Sequence, residues 1–125
     1  MDNVARALAN WLPPLILMGL IFVLSAMPSD DVDRGLAYVV GRKLAHFAEY
    51  ALLTALWWRA LRTRVADRTA IVAAVAIAVV YAATDELHQT SVDGRYGTPV
   101  DVLIDAAGAF TAAALILRRR RAIEA

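Results

Sequence analysis

Two stretches of this chain, Trp11 to Ser29 and Thr69 to Thr84, contain no charged residue at all. In the second, Ile71, Val75, Ile77, Val79 and Val80 cover every direction of a helical wheel, so a helix there has no polar side to turn to water. A soluble bundle needs such a side; a bilayer does not. Two further stretches, about residues 38–61 and 99–117, reach the ~20 residues needed to span a membrane only if the acids and the histidine within them are counted inside. Of the 125 residues, 60% are hydrophobic, above the ~45–50% usual for soluble proteins. The chain is therefore expected to be one all-α domain over residues 1–125. Its predicted form is a four-helix transmembrane bundle with helices at about 11–28, 38–61, 69–90 and 99–117.

Charge sets the orientation. Arginine and lysine in short loops mark the cytoplasmic side, and acidic residues count for little. Arg59, Arg62, Arg64 and Arg68 follow the second helix, and Arg118 to Arg121 follow the fourth. Both groups predict a cytoplasmic position, which puts both termini inside (N-in/C-in). The outer loops, Asp30-Asp31-Val32-Asp33-Arg34 and Ser91 to Arg95, then read as solvated. The first segment resembles a secretory signal in having Arg6 ahead of an apolar run. That run exceeds the ~7–15 residues of a signal core, and Met27-Pro28 is a poor cleavage context, so it is read as a helix. Pro13 and Pro14 suit a first helical turn, Pro28 an exit and Pro99 an entrance. The chain has no cysteine, which excludes disulfides, thiolate zinc sites and cysteine nucleophiles. Its net charge of +1 gives no reason to expect nucleic acid; the Arg118–Arg121 run suits anionic lipid headgroups. Trp57 and Trp58 fit an interfacial belt.

Against that apolar background the polar residues stand out. An ionisable side chain costs roughly 2.5–3.5 kcal/mol at the centre of a membrane helix, so a cluster of them is a functional-site hypothesis by default. His46, Glu49, Asp85, Glu86, His88, Gln89, Asp101 and Asp105 all fall toward the outer end. With a rise of about 1.5 Å per residue, His46 lies roughly 10 Å in and Glu49 roughly 15 Å in, a depth range that Asp85 and Asp105 approach from the other helices. Residues three or four apart share a face, which aligns Lys43, His46, Glu49 and Tyr50 on the second helix. The same rule aligns Tyr81, Asp85, His88 and Gln89 on the third, and Asp101, Asp105 and Gly108 on the fourth. Glu86 is expected to point toward the first helix and Ser25. Gly108 offers a point of close helix approach.

Three kinds of chemistry suit this set. In an enzyme acting on a lipid-linked envelope substrate, His46 is a general base or nucleophile, oriented by Asp85 or Asp105. Glu49 is the fourth catalytic candidate. Lys43 and Arg95 hold a phosphate, with Tyr50, Glu86, Gln89 and Asp101 as further substrate-binding candidates. Alternatively a divalent metal is bound, His46, Asp85 and Asp105 being the first candidates and Glu49 and His88 further ones; nitrogen and oxygen ligands suit zinc or manganese. In the third reading the polar groups pair with one another and hold the helices together, or bind a lipid headgroup or glycopeptide unchanged. A transporter is disfavoured, because no polar path continues through Ala73 to Ala78.

The order Lys43-Leu-Ala-His46-Phe-Ala-Glu49-Tyr50, then Asp85-Glu86-Leu-His88-Gln89, then Arg95, Thr98, Asp101, Asp105 and Gly108 resembles the VanZ-like family, over about Ser25 to Gly108. That family comprises small bacterial membrane proteins and is named for an accessory protein that raises resistance to teicoplanin. The resemblance implies a multi-pass protein of the bacterial cytoplasmic membrane, with membrane lipids and a lipid-linked substrate or lipoglycopeptide as partners. It places the family's Lys and His on Lys43 and His46, its aromatic on Tyr50, its Asp-Glu-x-x-Gln on Asp85, Glu86 and Gln89, and its Arg and Asp on Arg95 and Asp101. Asp105 stands where Asn is frequent, and Ala112 where a second Gly is common.

Overall fold

The structure, a computed structural model, describes residues 2–28 and 33–125. Its helices are α1 (Asn3–Ala26), α2 (Gly35–Leu61), α3 (Asp67–Gln89) and α4 (Pro99–Glu124), and no strand occurs among the described residues. Asp30 and Asp31 of the expected first outer loop lie outside them. The helices run past the apolar stretches because the flanking residues, such as Arg-Ala-Leu-Ala in α1 and the Arg118–Arg121 run in α4, are themselves good helix formers.

One expectation is corrected. Pro13 and Pro14 do not open α1 but lie in its middle. A proline lacks the N–H that would bond the carbonyl one turn back. The carbonyl that Pro13 leaves free is that of Ala9, and it accepts a hydrogen bond from Arg59 Nη2 of α2 at 2.7 Å. Neighbouring helices commonly satisfy the backbone groups that proline frees in a membrane helix. Trp11 meets Trp57 edge-on beside this contact, with ring centroids 6.2 Å apart.

Helices α1, α3 and α4 are long and apolar enough to cross a membrane. Helix α2 falls short of that measure, because its first half carries Arg42, Lys43, His46 and Glu49. It is also the central helix, touching all three others and packing most extensively against α4; α1 and α4 do not touch. The outward surface is apolar: Ile16, Val72, Val80 and Leu103 are 65–69% exposed. Such a surface suits lipid and would be a liability in water.

Small residues let the helices approach. Helix α3 buries Ala70, Ala74, Ala78 and Ala82 at one-turn intervals, and α4 buries Gly108, Ala109, Ala112 and Ala113. At Gly108 a Cβ would collide with the Phe47 carbonyl of α2, so only glycine permits this contact. Larger core residues, chiefly Ile21, Tyr50 and Leu53, fill the space that remains. The bundle therefore has two distinct ends. At one, Asp67 accepts from Trp58 Nε1 at 3.0 Å and pairs with Arg120, while Arg62 lies over the Trp58 ring. The other gathers the C-terminal ends of α1 and α3 and the N-terminal ends of α2 and α4.

Candidate functional site

The polar end is built from two groups of side chains. The first lies between α2 and α4. Lys43 Nζ pairs with Asp101 Oδ1 at 2.8 Å, and one turn deeper His46 Nδ1 lies 3.4 Å from Asp105 Oδ1. Asp101 belongs to the first turn of α4, where Pro99 fits an N-terminal position. Thr98 caps the helix, accepting from the Asp101 N–H at 3.3 Å and donating to Asp101 Oδ2 at 2.9 Å. Asp105 is 1% exposed, and neither of its oxygens has a hydrogen-bond partner among the described residues. An ionised carboxylate in that position depends on the imidazole beside it.

The second group lies between α1 and α3. Ser25 Oγ donates to Asp85 Oδ2 at 2.8 Å, and Gln89 Nε2 donates to both Ser25 Oγ and Asp85 Oδ2 at 3.2 Å. Tyr81 donates to the Met18 carbonyl at 2.6 Å, and His88 stacks on Phe22 with centroids 4.6 Å apart. Tyr81, Asp85, His88 and Gln89 thus share one face of α3, and it is α1 that covers this face. Between the two groups sits Tyr50, fully buried, its hydroxyl without a hydrogen-bond partner among the described residues and within electrostatic range of both Asp85 and Asp105.

Glu86 does not point toward Ser25. The residues of α3 that reach α1 are Asp85 and Gln89, one turn apart, and Glu86 follows about 100° round the helix. There its Oε1 accepts the Thr98 N–H at 2.6 Å, tying α3 to the start of α4. A carboxylate beside a helix N-terminus is favourably placed. Arg95 is likewise held by backbone, donating to Leu24 O and Met27 O at 3.1 Å each, so it caps the C-terminal end of α1.

A profile of the VanZ/LLP1 family matches residues 10–120. The chain belongs to the VanZ/LLP1 family. No curated protein and no solved structure matched it. Family membership and the three apolar helices together make this a VanZ-like membrane protein.

An apolar groove of about 540 Å³ runs past Glu86 and Thr98, and two smaller clefts at the polar end open onto His46. One, of about 220 Å³, is lined by Ser25, Arg42, His46, Glu49 and Arg95; the other, of about 140 Å³, by Arg42, Lys43, His46, Arg95 and Asp101. His46 belongs to both. Asp105 and Asp85 line neither and stand behind it, Asp105 behind His46 and Asp85 behind Ser25. Further apolar grooves occur at the arginine end, between residues such as Leu115, Ile116 and Arg119, away from every polar candidate.

Among the described residues no three histidine, aspartate or glutamate side chains come together in a group that could hold a metal ion. His46 and Asp105 meet, but Asp85 is turned to Ser25 and Gln89. The described residues therefore do not form a metal cage. Sequence reasoning singled out neither Arg42 nor the rim tyrosines, Tyr38 and Tyr96. Arg42 could have been found, because it is one helical turn before His46 and shares its face. Tyr96 carries no periodic signal, since it lies in the loop between α3 and α4.

Proposed function

We propose that this VanZ/LLP1 protein spans the bacterial cytoplasmic membrane with its arginine end inside and its polar end outside, and that the polar end acts on the anionic headgroup of a lipid-linked envelope substrate. Glycopeptide resistance is the physiological setting that the family points to. The observation that carries this reading is the His46–Asp105 pair: an imidazole lining two clefts, with a buried carboxylate at its back. The Asp105 carboxylate faces Nδ1 at 3.4 Å and stabilises the ring when it is protonated, which leaves Nε2 as the nitrogen for the cleft.

The reaction class is hydrolysis or group transfer at a phosphate ester. Water or an acceptor hydroxyl gives its proton to His46 as its oxygen bonds to phosphorus. The bond from phosphorus to the leaving oxygen breaks, and that oxygen takes the proton back from His46. Glu49 lies on the same face of α2, facing the larger cleft, and positions the attacking group.

A second reading is binding without turnover. The closed Ser25–Asp85–Gln89 set and the Lys43–Asp101 pair favour it, since both join helices and leave little capacity for a substrate. Comparison of envelope lipids with and without the protein separates the two. A lipid that accumulates on deletion and is cleared by the wild-type protein but not by His46→Ala supports catalysis. Unchanged lipids together with direct binding of a lipid headgroup or lipoglycopeptide support binding.

A further inference from the structure

The three cations that line the two clefts, Arg42, Lys43 and Arg95, are not equivalent. Lys43 is paired with Asp101 at 2.8 Å, and Arg95 donates to two carbonyls at the end of α1. Both have structural partners. Arg42 makes no hydrogen bond or ion pair among the described residues, yet it is half-buried and lines both clefts. It lies within electrostatic range of His46 and of Asp101.

We infer that Arg42 is the receptor for the anionic group of the ligand, and that this group is a phosphate carried on an amphiphile. This rests on the reading of the polar end as a headgroup site. A guanidinium presents paired N–H donors that match two phosphate oxygens, and it is used where planar, bidentate recognition is needed. Arg42 precedes His46 by one turn on one face of α2, an axial separation of about 6 Å. A phosphate on Arg42 therefore holds its ester bond toward the imidazole. Tyr38, one turn further out and 49% exposed, and Tyr96, 77% exposed, stand at the rim. Amphipathic rings of that kind settle at the level of lipid headgroups. Gly94, with φ of 71°, turns the α3–α4 loop so that its backbone forms one wall of the smaller cleft.

The test is a titration of the full-length protein in detergent with dihexanoyl phosphatidic acid below its micellar concentration, with the phosphatidylcholine of the same chain length and with inorganic phosphate. Arg42→Ala and Arg42→Gln are expected to weaken phosphatidic acid binding about tenfold or more with an unchanged melting temperature, and Arg42→Lys to fall between. His46→Ala binds but does not turn over. Binding of phosphatidic acid alone makes the acyl chains part of the ligand. Equal displacement by inorganic phosphate shows that the phosphate suffices, and both outcomes support Arg42 if its variants lose the binding. Wild-type affinity in both Arg42 variants overturns the assignment and leaves the headgroup reading standing. Failure of the wild-type protein to bind phosphatidic acid, or equal affinity for phosphatidylcholine, overturns both.

Discussion

Replacing Gly108 by alanine tests the contact on which the polar end is assembled. The added Cβ would lie 3.0 Å from Phe47 C and 3.2 Å from Phe47 Cα, with the Phe47 carbonyl oxygen closer still. Carbon atoms sit comfortably at about 3.5–4.0 Å, so α4 must retreat from α2 by about 1 Å. All three atoms are backbone, and no rotamer change relieves them. Overpacking of this kind costs about 1–3 kcal/mol, against which alanine returns up to about 1 kcal/mol of helix propensity. A net loss of about 1–2 kcal/mol corresponds to a fall in melting temperature of about 4–8 °C. Asp105 lies one turn before Gly108, so the same retreat widens its 3.4 Å separation from His46. Activity or headgroup binding therefore falls with stability. Gly19→Ala and Gly41→Ala are the controls, because a Cβ at either meets nothing within 4 Å. They are expected to be neutral or to gain about 0.5–1 kcal/mol. Thermal unfolding of the three variants in detergent decides the matter, and a Gly108→Ala protein as stable as the controls would refute the close contact.

His46→Ala is expected to abolish complementation while the protein still inserts, with a stability loss of up to about 3–5 kcal/mol if Asp105 is left ionised and unpaired; His88→Ala keeps function, since His88 packs on Phe22 outside both clefts. Full complementation by His46→Ala would end its assignment as general base. Ser25→Ala removes donors and acceptors from buried Asp85 and Gln89 and should cost about 1–3 kcal/mol in thermal unfolding. Lys43→Ala should cost no more than about 1 kcal/mol in the same measurement, because the Lys43 side chain is 41% exposed. Single cysteines at Asp93 and Arg64, in a chain with no cysteine of its own, report topology: an impermeant thiol reagent on intact cells is expected to label Asp93→Cys and spare Arg64→Cys, and the reverse result would turn the bundle over.

The helices and the residues on each face were legible in the sequence, because a 3.6-residue period and the absence of charge are local properties. Thus Lys43, His46 and Tyr50 do share a face of α2, and Tyr81, Asp85, His88 and Gln89 a face of α3. The partner of each face was not legible. Spacing says that Asp85 and Gln89 point the same way, but rotation of the whole helix decides whether they meet His46 or Ser25. That rotation belongs to the packing of the whole helix, which buries Ala70, Ala74, Ala78 and Ala82. The course of α1 was hidden for another reason. Its prolines look like a beginning until Arg59, remote in sequence, is seen to supply what Pro13 withholds from Ala9. Adjacent cations such as Arg42 and Lys43 read alike in a sequence, and only the ion pair to Asp101 separates their roles.

The central position of α2 bears on how the protein is made. Of the four helices, α1 leaves the ribosome first and carries the most apolar span, so it can wait alone in lipid. In the four-span arrangement proposed above, helix α2 cannot wait so easily, for it would bring Arg42, Lys43, His46 and Glu49 into the bilayer with it. The carboxylates that meet two of these, Asp101 and Asp105, are on α4 and are synthesised last. Until then α2 must remain shallow, shielded by the insertion machinery, or only partly inserted. The polar end is thus the last part of the bundle to close. Every helix has to be present before it can do so.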